Sequence, residues 1–163
     1  MSNDKHLLET LHGDYHMMVM QICMGYTKGD RDLAKDLSQE VFINIWRALK
    51  SFKNESGYKT WIYRITVNTC LKYIRDKKDT HHRTIEEESL IAETVSDPPN
   101  DQNYQLLYMA IGQLKEVDRL IMMLMLDELK YQEISEIIGI SEGNLRVKIH
   151  RIKKEVKNIF DNG

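Results

Sequence analysis

The chain has few of the features that staple or anchor a protein. Its 163 residues include only two cysteines and two prolines. Cys23 and Cys70 stand alone, without a second cysteine at metal or redox spacing. This excludes a disulfide framework and predicts two buried free thiols. The longest apolar runs, Leu120 to Leu126 and Met17 to Met20, fall far below the roughly 20 residues that a membrane span requires. No charged-then-apolar leader opens the chain, so a cytoplasmic protein without membrane insertion is expected. Paired carboxylates, a nucleophile with its base and a glycine-rich phosphate loop are also missing, which predicts no enzyme and no cofactor. His12 and His16 have the spacing of a helical metal pair, but Gly13 stands where a zinc-protease motif places an acid. Adjacent His81 and His82 do not share a helical face, and no metal is expected at either pair.

What is present is helical periodicity and segregated charge. With 42% hydrophobic and 29% charged residues, the composition is that of a soluble chain of one or two domains. The net charge of −2 hides a strong division along the sequence. Tyr58 to Lys78 carries six cations against Asp76, and Gly143 to Asn158 carries six against Glu155. Between them, Asp79 to Asp101 holds seven acids and only Arg83. Two basic surfaces joined by an acidic tether point to nucleic acid more directly than any mean charge.

The second basic stretch has helix-turn-helix grammar. Ile134, Ile137 and Ile138 recur at helical spacing, Gly139 supplies the permissive backbone of a sharp turn, and Ser141 is a ready N-cap. In the helix that follows, Leu145, Ile149, Ile152, Val156 and Ile159 form one buried stripe at about 100° per residue. Asn144, Val147, His150, Arg151 and Lys154 then face outward, flanked by Arg146 and Lys148. Polar readers at the centre and cations at the sides suit a major groove. Two helices from Tyr104 to Leu114 and from Glu116 to Leu126 are expected to complete its core.

Three more helices are predicted upstream, over about Asn3 to Tyr26, Asp30 to Lys50 and Tyr58 to Lys77. In the second, Ala34, Leu37, Val41, Phe42, Ile45, Trp46, Ala48 and Leu49 make a wide packed half. Asp32, Asp36, Gln39, Glu40, Asn44 and Arg47 make a polar half from which Ile43 projects. In the third, Trp61, Arg64, Asn68, Lys72 and Arg75 lie along one stripe. Cations and an amide beside aromatics fit a single or melted DNA strand. The bland readings are a core tryptophan and a solvated cationic face. From the residues, a duplex-DNA regulator acting through its C-terminal part alone is the other reading; it would need no polymerase.

The stretches Asp36-Leu37-Ser38-Gln39-Glu40-Val41-Phe42, Thr60-Trp61-Ile62-Tyr63-Arg64-Ile65 with Asn68 and Arg75, and Gly143-Asn144-Leu145-Arg146-Val147-Lys148-Ile149-His150-Arg151 together resemble an extracytoplasmic-function sigma factor. The resemblance covers nearly the whole chain. It implies an all-α fold of two small helical domains joined by a flexible acidic linker: 1–79 as sigma region 2, 80–102 as linker and 103–163 as the region 4 helix-turn-helix. It further implies that Asp36, Gln39, Glu40 and Ile43 dock on the β′ clamp of core RNA polymerase, with the β flap a second contact. Tyr58, Lys59, Arg64, Asn68, Lys72 and Arg75 would meet the melted minus-ten strand. Asn144, Arg146, Val147, Lys148 and Arg151 would read the minus-thirty-five element, and the linker would run through the polymerase cleft. The family commonly has Asp at the place of Lys72, and Thr and Ser at those of Asn144 and Val147, departures that bear on promoter sequence. Surfaces this exposed also predict an anti-sigma partner or a compact, self-inhibited form.

Overall fold

A computed structural model describes residues 2–55, 57–80 and 102–162. The acidic tether, with Glu86 to Glu88, Pro98-Pro99 and the pair His81 and His82, lies outside them. Seven α-helices make up the described fold: α1 (Ser2–Tyr26), α2 (Arg31–Ala48), α3 (Gly57–Thr80), α4 (Gln102–Gly112), α5 (Glu116–Leu126), α6 (Tyr131–Ile138) and α7 (Glu142–Asn162). There is no strand among the described residues.

Helices α1 to α3 pack into the first unit. Their stripes meet at Val19, Ile22, Val41, Ile45, Ile62 and Val67, all fully buried. Each such side chain contributes about 1.5–3 kcal/mol relative to exposure. Cys23 and Cys70 are buried free thiols in this core. A hydrogen bond with Cys23, and then burial, push the Cys70 thiol well up. Chain reversal between α1 and α2 uses Lys28 and Gly29, both at positive φ, and Asp30 caps α2 by accepting the Leu33 N–H at 3.1 Å.

Helices α4 to α7 form the second unit around Ile111, Leu120, Ile121, Leu124, Ile134, Leu145 and Ile152. The turn between α6 and α7 follows the sequence prediction. Gly139 takes the left-handed conformation at φ 86° and ψ 32°, and its N–H donates to the Ser135 carbonyl at 2.9 Å. Ser141 Oγ then accepts the Asn144 N–H at 3.2 Å, capping α7.

The two units pack against each other, α1 and α3 on one side and α4, α5 and α6 on the other. Arg119 on α5 crosses the seam: its Nε–H donates to the Tyr26 carbonyl at 2.8 Å, its Nη1 donates to the Leu114 carbonyl at 2.8 Å, and its guanidinium lies 5.4 Å from the Tyr26 ring centre. Burial lowers the basicity of this guanidinium, and the two carbonyls take one donor each from its Nε and Nη1. Beside it, Gly25 lets Met123 seat directly on α1, where a Cβ would collide with the thioether.

Candidate nucleic-acid and partner interfaces

On α2, Asp36, Gln39 and Glu40 are exposed, and Ile43 stands among them at 44% exposure. Gln39 and Ile43 border a groove of about 1030 Å³ between α1 and α2, shared with His12, His16, Phe42 and Trp46. The His12 ring lies 4.9 Å from His16 and 4.7 Å from Phe42. Two residues depart from the pattern read in the sequence. Trp46, expected in the packed half, is exposed because the groove beside it stays open. Asn44, expected on the polar half, is half-buried and donates from Nδ2 to Thr69 Oγ1 at 3.1 Å, clasping α2 to α3. The Thr69 hydroxyl donates to the Ile65 carbonyl at 2.7 Å and accepts from the amide, so both of its roles are filled.

The start of α3 carries an aromatic cluster. Phe52 stacks on Tyr58 at 4.5 Å and meets Trp61 at 4.7 Å, so Trp61 is neither fully core nor free. Lys59, Asn68, Lys72 and Arg75 are exposed along the helix. Arg64 is held differently: its Nη2 lies 3.4 Å from Glu136 Oε2 on α6. The neighbouring Tyr63 donates to Asp127 Oδ2 at 2.7 Å. Burial, and then this hydrogen bond, push the Tyr63 hydroxyl well above the ordinary phenol range, so it remains a donor at every physiological pH. Asp127, Glu136 and Arg119 were not legible as functional in the sequence. Their partners are distant in the chain, and no spacing rule links them.

On α7, Leu145, Ile149 and Ile152 are buried, while Asn144, Val147, His150, Arg151 and Lys154 are exposed. Val147 is 50% exposed on the side away from the buried stripe. Arg146 pairs with Glu142 at 3.2 Å, one turn earlier. Lys148 is less free than its position on the flank suggests: its Nζ lies 3.5 Å from Asp118 Oδ1, a mostly buried carboxylate on α5. Lys148 therefore braces α7 against α5 as well as adding charge to its flank.

These surfaces belong to a helical protein of two packed units, with exposed cations along α3 and α7 and an exposed acidic face on α2. Comparison with known proteins gives the family. Residues 11–80 match the model of sigma-70 region 2, and residues 104–156 match that of sigma-70 region 4. The chain is 33% identical over 136 residues to the ECF RNA polymerase sigma-E factor of Escherichia coli, spanning 76% of this chain and 71% of that protein. It is 26% identical over 156 residues to the RNA polymerase sigma factor YlaC of Bacillus subtilis, spanning 92% and 90%. The fold matches the sigma factor RpoE solved with the anti-sigma factor NepR from Bartonella quintana, with a TM-score of 0.75, 17% identity and coverage of 99% of this chain and 98% of that one. It also matches CnrH solved with the cytosolic domain of CnrY, with a TM-score of 0.67, 16% identity and coverage of 97% and 90%. The chain belongs to the extracytoplasmic-function group of sigma-70 RNA polymerase sigma factors. It is a sigma factor that directs transcription initiation, and nothing supports a regulator working without polymerase. No helix among the described residues is long and apolar enough to cross a membrane, and among them no three metal-ligating side chains come together.

Proposed function

We propose that three faces of this sigma factor divide the work of initiation. The α2 face with Asp36, Gln39, Glu40 and Ile43 docks on the β′ clamp of core polymerase, acids at its rim and one apolar anchor within. On α3, Tyr58, Lys59, Arg64, Asn68, Lys72 and Arg75 hold the melted minus-ten strand. Cations track its phosphates, and the aromatic cluster offers ring faces, worth about 1–3 kcal/mol per stacked base. The α7 face with Asn144, Arg146, Val147, Lys148 and Arg151 reads the minus-thirty-five element in the major groove. The working divisions are 1–79, 80–102 and 103–163, and the C-terminal division also meets the β flap. The protein performs no covalent step itself and acts in the cytoplasm, where its polymerase works. RpoE was solved with the anti-sigma factor NepR and CnrH with the cytosolic domain of CnrY, and this chain, with the same fold, is held in check by an anti-sigma factor of its own.

The observation that carries this reading is the outward face of α7, exposed at Asn144, Val147 and Arg151 directly behind a fully buried Leu145. In vitro transcription on genomic DNA tests it. Core polymerase with this protein should start at a discrete promoter set, and core alone should not. Binding of duplex sites without polymerase, and no new start sites with it, would overturn the reading.

A further inference from the structure

Two large apolar side chains of α2, Ile43 and Trp46, lie open to solvent one turn apart. They edge the groove of about 1030 Å³ between α1 and α2, on whose floor lie the half-buried Leu8, Met20 and Phe42. The groove has a direction. Because the chain reverses between the two helices, Met20 of α1 and Lys35 of α2 close one end, and Lys5 and Lys50 the other. From Leu8 to Met20 the apolar floor runs about 18 Å along α1. Charge is unequal along that length. Asp4 shares the end of Lys5 and Lys50, whereas no acid lines the groove at the Lys35 end. Lys35 itself is exposed and pairs with no acid among the described residues.

We infer that this groove is a binding site for a single-chain anionic amphiphile, a fatty-acid carboxylate in its simplest form, with its head on Lys35 and its alkyl chain laid past Phe42 and Ile43 to Leu8 and Trp46. A mostly apolar trough with one unpaired cation at its end matches a ligand of the same build. The width of the groove argues for a chain in preference to a helix. An acidic helix, about 10–12 Å across, would overhang the outer face of α2, where Asp36 and Glu40 are exposed and would repel it. A single alkyl chain stays within the walls. Gln39 and Ile43 belong both to this groove and to the face proposed to dock on the β′ clamp, so an occupant competes with core polymerase. That consequence rests on the docking assignment; the binding itself does not.

The test titrates sodium dodecanoate, below its micelle threshold, into the full chain and follows heat and tryptophan fluorescence. Trp46 is one of two tryptophans, so a signal that vanishes in Trp46→Phe while the heat persists reports from the groove. Dodecanoate should saturate a single site and bind several-fold tighter than decanoate, since each fully buried CH₂ is worth about fourfold. It should also bind several-fold tighter than the cation dodecyltrimethylammonium. Lys35→Ala should close that gap between anion and cation, which a folding defect would not do, and Lys130→Ala on the exposed start of α6 should leave it as it was. Equal affinity for the two head groups in wild type, many weak sites in place of one, or a gap that survives Lys35→Ala would overturn the site. Binding of a synthetic leucine helix flanked by glutamates, with none of dodecanoate, would give the groove to a protein partner and overturn it likewise. Dodecanoate at saturation should lower capture of core polymerase by wild type, and undiminished capture would overturn the competition. Failure of wild type to capture core without any ligand would instead overturn the docking assignment and leave the binding site standing.

Discussion

Val147 is the residue whose place has no explanation within its own unit. A β-branched apolar side chain, half exposed at the centre of the outward face of α7, gains little from burial there, yet in a major groove it would meet the C5-methyl of thymine. Asn144, one turn earlier, can pair with adenine. Val147→Ser should relax base preference at one A·T pair by about 1 kcal/mol, below the roughly 1–3 of a bidentate contact. A selection from randomised upstream elements checks this, and unchanged base frequencies would remove Val147 from readout. Glu128 is the other instructive residue, at φ 63° in the turn after α5. A left-handed L-residue costs roughly 1–2 kcal/mol, while glycine gives back about 0.5–1 of that through a freer unfolded chain. Glu128→Gly should therefore stabilise the protein by about 0.5–1 kcal/mol, read as a Tm rise of a few degrees.

At the scale of elements, the α2 face and the α7 brace separate binding from folding. Glu40 is exposed and makes no contact that α2 depends on, so Glu40→Lys should change stability by no more than about 0.5 kcal/mol while abolishing association with core polymerase. Undiminished capture of core in a pull-down would exclude this face from docking. Lys148 behaves otherwise. As a cation beside the groove its removal should weaken all DNA sequences alike and flatten the salt dependence. Because it also neutralises Asp118, Lys148→Ala should cost about 1 kcal/mol of stability as well, a loss visible in thermal unfolding without DNA. A Tm equal to that of wild type would show that the brace is idle.

For the whole molecule, the seam between units rests on close approach at Gly25. Alanine there favours the helix by about 1 kcal/mol but must displace Met123, and overpacking of this kind costs about 1–3 kcal/mol. The helix gain stays within α1, whereas the cost is charged to the seam. Gly25→Ala should thus leave both units folded while shifting them apart, seen as a larger radius of gyration with unchanged helical circular dichroism. An unaltered radius would mean that Met123 repacks in place.

The sequence by itself determined the helices, the helix-turn-helix with its Gly139 turn and Ser141 cap, the buried stripe of α7 and the face of α2 that carries Asp36, Gln39, Glu40 and Ile43. All of these are local: a period near 3.6 residues and a capping side chain act within a turn or two, so adjacent residues suffice to encode them. Only the tertiary structure decided that Asn44 turns inward to Thr69 and Trp46 stays out, because a helix face is buried or open according to its neighbour and not its own pattern. It decided likewise that Cys70 lies against Cys23, that Arg119 reaches Tyr26, and that Tyr63 and Arg64 are taken by Asp127 and Glu136. These pairs join residues far apart in the chain, and short-range charge and hydrogen bonding choose them only after apolar packing has brought the helices together.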